Sequence, residues 1–186
     1  LVDAPLQPAS SVSPDKRWMA AFEYTWVLPL AEVARDELKL AGIRIDPVSH
    51  SRSRARTYNA IVLHDLETGE KTPVAGLPDS GIASPSWSSD SRHLAFTVEA
   101  DGKRTLWVYD VAAGEARQLT DRPLNGVLTS TPYRWLPDGS ALLVNLAVHH
   151  GEPLPEPGLD AVAPVIDETD PERKSPVRTY QDLLET

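Results

Sequence analysis

The sequence contains no cysteine. Disulfides, thiolate chemistry and cysteine-ligated zinc are therefore excluded, and an oxidising compartment is permitted but not indicated. Aromatic residues are scarce at 6%, yet five of them are tryptophan. No apolar run approaches the roughly 18 residues that would suggest a membrane span. No secretory leader pattern is visible, and the chain opens at Leu1-Val2-Asp3 without methionine, as expected of a mature or trimmed product. Basic residues are the minority, 18 Lys plus Arg against 27 Asp plus Glu, giving a net charge of −9. That balance opposes non-specific binding to nucleic acid or to an anionic membrane, so neither is expected as a partner. What is abundant is proline, 17 in 186 residues, which points to many turns and few long helices. The length suits one domain with a real core.

The main internal signal is a repeat. Ser11 to Phe22 (SVSPDKRWMAAF), Pro85 to Phe96 (PSWSSDSRHLAF) and Tyr133 to Val144 (YRWLPDGSALLV) share one pattern. Each runs from an apolar residue through a polar turn holding an aspartate (Asp15, Asp90, Asp138) into an alternating or apolar strand. An aspartate can bond its own backbone in a tight turn, and the following strand can bury alternate side chains. A second phrase recurs in Asn59 to Val74 (NAIVLHDLETGEKTPV) and Thr105 to Thr120 (TLWVYDVAAGEARQLT). Both read as strand, Asp, a short turn ending in Gly, then strand. Asp65 lies 45 residues before Asp110, Gly69 lies 45 before Gly114, and Trp87 lies 48 before Trp135.

A period in the mid-forties with four short strands per unit is the signature of propeller blades, which bury their faces only against neighbours. The expected fold is all-β, a partial β-propeller of about two to three four-stranded antiparallel blades. One full blade is expected at roughly 85–119, with a half blade before it and another starting at Tyr133. Asp90 stands 75 residues after Asp15, so an insert of about 30 residues is expected over roughly 27–56. Leu30, Val33, Ala34 and Leu38 fall at helical spacing with Gly42 beyond them, which predicts a short helix there. The polar remainder, DPVSHSRSRAR, reads as loop. A second irregular stretch, about 149–177, carries Pro153, Pro155, Pro157, Pro164, Pro171 and Pro176 among many acids and reads as an extended loop. Thr179 is placed to cap a helix opening in the last residues.

The blade phrases WSSDSRHLAF and LWVYDVAAGEARQLT resemble the propeller of prolyl oligopeptidase family serine peptidases. The insert sequence PLAEVARDELKLAGIRIDP, Pro29 to Pro47, resembles the glutamyl endopeptidase branch of that family. So do the opening LVDAPLQPASSVSPDKRW and the closing VRTYQDLLET, so the resemblance covers 1–186. It implies a two-domain enzyme in which an N-terminal propeller caps a C-terminal α/β-hydrolase domain with a Ser-Asp-His triad, cleaving after glutamate. Peptide substrates and that hydrolase domain are then the implied partners, and a periplasmic, secreted or organellar location is suggested by the resemblance alone. The sequence holds no G-x-S-x-G, the strained turn that presents the nucleophile, so no catalytic residue is carried over and this chain alone is expected to be inactive. A non-catalytic, protein-binding propeller is the competing reading.

Several side chains invite a sharper reading. Trp87, Trp107 and Trp135 are either a ligand-stacking surface or, for Trp87 and Trp135, packing between blades. Asp65 and Asp110 are acid–base candidates by type, but their repeated place before a turn indicates structure, since acid–base work needs two carboxylates on one substrate bond. Ser84, Ser86, Ser88 and Ser89 read as turn residues. His149 and His150, with Glu152 and Glu156 nearby, are the one candidate metal cluster, but adjacent strand residues point to opposite faces; no metal and no cofactor is expected. Arg52, Arg54 and Arg56, with Arg44 upstream, form the basic cluster, either as a solvated loop or as a cation for a substrate glutamate, which Arg binds bidentately. Two or three blades cannot close a ring, so strand edges and blade faces are left exposed and self-association is expected. Sedimentation of the 186-residue chain should show a mass that rises with concentration, and a monomer at high concentration would contradict this.

Overall fold

The recurring aspartate turns each fold the same way. In the first, Ser13 Oγ donates to Asp15 Oδ1 at 2.5 Å and accepts from Trp18 N at 2.9 Å, while Asp15 Oδ1 accepts from Arg17 N at 3.0 Å. Ser88, Asp90, Arg92 and His93 repeat this arrangement at 2.6, 3.1 and 3.0 Å. The third turn has Leu136 in place of serine and keeps the contacts from Asp138 to Ser140 N and Oγ. The residue after each aspartate, Lys16, Ser91 or Gly139, has a left-handed backbone and closes the turn onto the carbonyl three residues back. The other repeated aspartates act differently: Asp65 Oδ1 accepts from Glu67 N and Thr68 N, and Asp110 Oδ1 from Ala112 N and Ala113 N.

A computed structural model describes residues 7–24, 30–40, 42–78 and 81–148. Its strands are β1 (Ala9–Val12) and β2 (Trp18–Glu23), then, after a single helical turn α1 (Leu30–Val33), β3 (Leu38–Leu40), β4 (Ile43–Asp46) and β5 (Ser51–Arg52). They continue with β6 (Ala60–Asp65), β7 (Lys71–Pro73), β8 (Ile82–Trp87), β9 (His93–Ala100), β10 (Lys103–Asp110), β11 (Glu115–Gln118), β12 (Tyr133–Trp135) and β13 (Leu142–Val144). All pairings between these strands are antiparallel. Two four-stranded sheets run in the orders β1-β2-β6-β7 and β8-β9-β10-β11, beside the pair β12-β13 and the small sheet β3-β4-β5.

The expected all-β blade architecture is therefore present, with two corrections of detail. The half blade and the first repeat are one complete blade: Glu23 pairs with Ala60, so the insert leaves and re-enters between its second and third strands. The helix stops after one turn, Leu38 begins β3, and Ser51–Arg52 forms a strand where a loop is read from the polar sequence. Ile45, paired to Arg52, is buried and gives the small sheet its own apolar anchor. The stretch 149–177 and Thr179 lie outside the described residues.

The middle sheet buries both faces, as strand alternation allows. Leu94, Phe96, Val98 and Tyr109 meet Ala20, Phe22, Ile61 and Leu63 of the first sheet. Ala95, Leu106 and Val108 point the other way, against Tyr133, Trp135, Leu142 and Val144. Each fully buried Leu, Ile, Val or Phe among them contributes about 1.5–3 kcal/mol. Polar bonds fix the stacking. Trp87 Nε1 donates to Ser11 O of the first blade at 3.2 Å, and Trp135 Nε1 donates to Ser86 O of the second at 3.1 Å. Ser11 and Ser86 each stand two residues before the turn serine, so the same bond recurs one blade on. The Tyr133 hydroxyl lies between the carbonyls of Ser84 and Ala95 at a bulge in β8, where Ser84 is left-handed.

Gly81 has φ +83°, and a Cβ there would sit 2.2 Å from the Glu99 carbonyl oxygen. Gly69 has φ +78° and open space around it. Gly69→Ala should cost about 1–2 kcal/mol from backbone strain alone. Gly81→Ala should cost clearly more in denaturant unfolding, because backbone must move as well. Equal losses would contradict this account.

The turn geometry also sets a pH dependence. The Ser13 hydroxyl, then Arg17 N–H, holds the Asp15 carboxyl below the usual carboxylate range, and Ser88 does the same for Asp90. The Thr68 and Ala113 N–H groups lead for Asp65 and Asp110. A carboxyl whose folded pKa is lowered stabilises the fold above its ordinary pKa and loses that contribution as pH falls through the lowered value. The thermal midpoint should be level above about pH 5 and fall below about pH 4. In Ser13→Ala/Ser88→Ala the acid-side fall should be smaller, because the folded carboxyls then lie nearer their ordinary values, and an unaltered profile would contradict the assignment.

Candidate functional site

The insert is anchored by charge to the middle blade and by backbone to the segment that follows it at Gly126. Asp46 Oδ1 accepts from Val48 N at 2.8 Å and Ser49 N at 3.2 Å, which shapes the turn between β4 and β5. Burial pushes the Asp46 carboxyl up, but those N–H groups and Arg35 outweigh it and leave the carboxyl below its ordinary value. Arg35 Nη1 lies 3.2 Å from Asp46 Oδ2 and 3.3 Å from Glu99 Oε1 of β9. Glu99 Oε2 also receives Arg104 Nη2 at 2.9 Å, and Arg104 is 3% exposed. A buried charge requires such a partner, since removing one member of the pair strands the other. Gly126 N donates to His50 O at 2.8 Å, and Ser51 bridges Gly126 in parallel. The Ser49 and Ser51 hydroxyls bond each other at 2.7 Å inside this contact.

The arginine cluster read from the sequence is divided by the fold. Arg52 Nε donates weakly to Val127 O at 3.4 Å. Arg56 stacks its guanidinium 5.0 Å over the Tyr24 ring, a cation–π contact. Arg54 Nε lies 2.8 Å from Glu37 Oε1 and its Nη2 donates to Val33 O at 3.3 Å. Arg44 Nη1 lies 3.0 Å from Glu37 Oε2. Thus Arg44 and Arg54 converge on one carboxylate, while Arg52 and Arg56 face other partners. Residues 30–58 hold six Lys and Arg against four Asp and Glu, a basic island in an acidic chain. Sequence reasoning missed Glu37: nothing in its spacing marks it, because the turn after α1 brings it to the two arginines.

The remaining candidates have structural roles. Trp87 and Trp135 join adjacent blades through their indoles, and Trp107 Nε1 donates to Thr105 Oγ1 at 3.0 Å on the face toward the first blade. A cleft of about 690 Å³ opens beside Trp87 and Trp135, where Thr131, Arg134 and Asn145 add polar groups. Asp65 and Asp110 are taken up by turn N–H groups, with Asp65 also 3.5 Å from Arg17 Nη2 and Asp110 3.5 Å from His93 Nε2. Ser88 bonds Asp90, and Ser84 Oγ donates to Ser130 O at 2.8 Å. Burial pushes the Tyr133 phenol up, which keeps it a neutral donor. Among the described residues no group of three His, Cys, Asp or Glu is placed to hold a metal. His149, His150, Glu152 and Glu156 lie outside the described residues.

No family model matches the chain. Among curated proteins it is 36% identical to "Probable glutamyl endopeptidase, chloroplastic" of Oryza sativa subsp. japonica over 198 aligned positions, 99% of this chain and 21% of that protein. The same name is carried by an Arabidopsis thaliana protein, also 36% identical, over 99% of this chain and 20% of its own length. Among solved structures, the β-propeller domain of the Trilobed protease from Pyrococcus furiosus matches with a TM-score of 0.37 and 19% identity, covering 62% of this chain and 29% of that one. The chain thus spans about a fifth of the length of the curated relatives it matches. Sequence likeness over nearly all of its residues, joined to the stacked blades described above, makes this chain a β-propeller segment similar to one part of these glutamyl endopeptidases.

Proposed function

We propose that residues 1–186 are the N-terminal part of a propeller that gates and selects peptide substrates for a downstream α/β-hydrolase domain. The observation that carries this reading is the insert itself. It leaves the first blade at a hairpin corner, between Glu23 and Ala60, and concentrates Arg44, Arg52 and Arg54 in an otherwise acidic chain. A carboxylate-bearing peptide is drawn to such an island, and guanidinium groups with partly exposed faces can bind it. The division of labour is then simple. The hydrolase domain supplies the serine nucleophile, the histidine base and the oxyanion donors. The propeller restricts access and favours acidic side chains. The lack of G-x-S-x-G in 1–186 supports placing the chemistry elsewhere.

Hydrolysis of a chromogenic peptide with Glu before the scissile bond tests both parts. The 186-residue chain alone should be inactive and the full-length protein active. In the full-length protein, Arg52→Ala/Arg54→Ala/Arg56→Ala should raise KM for Glu peptides with little change in kcat, by roughly tenfold for each arginine that touches substrate. Activity in the isolated chain, or unchanged kinetics in the triple variant, would overturn the corresponding half of the proposal.

A further inference from the structure

Glu37 is an unusual surface-loop carboxylate. It stands between α1 and β3, yet its side chain is 8% exposed, while those of Arg44 and Arg54 are 54% and 40% exposed. Two cations from different strand neighbourhoods therefore close on one internal glutamate. The fit is imperfect. Oε1 lies 2.8 Å from Arg54 Nε but makes no well-aligned hydrogen bond, so a buried carboxylate oxygen is left unsatisfied. Such a group costs free energy and gives its occupant less hold than the distance suggests. Arg54 itself has φ +55°, a left-handed backbone that is uncommon for a non-glycine residue and falls here at a turn after β5. The conformation keeps Arg54 turned toward Glu37 with Nη2 tied to Val33 O.

We propose that Arg44 and Arg54 form a binding site for the side-chain carboxylate of an acidic peptide, and that Glu37 is its built-in occupant, displaced when such a peptide binds. This rests on the substrate-selecting reading above and narrows it. The pincer is Arg44 with Arg54, Arg52 lies outside it, and Arg56 is held on Tyr24. The chemistry follows from the geometry. Two guanidinium groups around one carboxylate provide charge and several N–H donors, a stronger and more directional grip than a lone lysine. A tethered carboxylate competes at an effective concentration on the order of millimolar or higher. A free glutamate side chain therefore binds poorly, whereas a peptide with further contacts to the protein displaces Glu37. The internal glutamate thus sets a threshold that favours extended acidic peptides over small acids.

The test is a titration of the ¹⁵N-labelled full-length protein with N-acetyl-glutamate α-amide, whose only carboxylate is the side chain, reading the arginine Nε–Hε resonances. N-acetyl-glutaminamide is the neutral control. Arg44→Lys and Arg54→Lys assign the resonances. Glu37→Ala should lower the Kd for the glutamate probe at least tenfold relative to wild type, with no response to the glutamine probe. Adding Arg44→Ala to Glu37→Ala should abolish the gain. If Glu37→Ala loses the folded amide spectrum, Glu37→Gln keeps the side-chain volume, removes the charge and serves the same comparison. A folded Glu37 variant with the wild-type Kd, or with no saturable shift, overturns the inference. Should the triple arginine variant raise KM while Glu37 variants leave affinity unchanged, substrate selection stands and the internal occupant falls. A gain of affinity in Glu37 variants with unchanged kinetics in the triple variant supports the occupied site and removes its link to selection.

Discussion

A four-stranded antiparallel sheet whose two faces are both apolar has no stable existence alone, and the middle blade is such a sheet. Leu94, Phe96, Val98 and Tyr109 on one face, with Ala95, Leu106 and Val108 on the other, need neighbours on both sides. Apolar burial supplies the attraction but no register, because it is non-directional. Register comes from the indole bonds of Trp87 and Trp135 and from the Tyr133 hydroxyl at the β8 bulge. Each is a buried or partly buried donor that finds its acceptor on the neighbouring blade, so each fixes where one blade sits on the next.

The polar parts of the chain divide their work in the same way. The turn aspartates and their serines close hairpins locally, and one of them also reaches across: Asp15 N donates to Ser91 Oγ of the next blade at 3.0 Å. The insert uses longer connections. Arg35, Asp46, Glu99 and Arg104 join it to the middle blade through a chain of alternating charges, while Arg44, Glu37 and Arg54 organise its outer side. One charge system holds the insert in place, and the other gives it its basic character.

Much of this was legible in the sequence because blades repeat. Asp65 and Asp110, Gly69 and Gly114, and Trp87 and Trp135 recur at intervals of 45 to 48, and each pair proves to have the same role one blade on. The serine two residues before Asp15 and Asp90 carried an equally clear signal, but reading the aspartate as bonding only its own backbone hid it. The interruption of the first blade was harder. Its two halves look like separate units in sequence, and only the pairing of Glu23 with Ala60 rejoins them. The insert had no internal period to read. Leu30, Val33 and Leu38 fit a helix, but one turn forms, and tertiary pairing of Leu38 with Ile45 overrides the helical spacing. The arginine cluster was visible as composition, whereas its division among Tyr24, Val127 and Glu37 depends on contacts made by residues far apart in the chain.

The corner where the insert departs has a further meaning. Asn59 N donates to Glu23 O at 2.8 Å, so the two ends of the inserted segment meet as neighbouring positions of an ordinary hairpin. Lengthening a loop whose ends are already held together adds little to its closure cost, because that cost grows only with the logarithm of length. The blade therefore treats its hairpin corner as a socket. What is plugged into it can change in size and charge while the β2–β6 ladder stays the same, which lets the insert diversify without renegotiating the architecture that carries it.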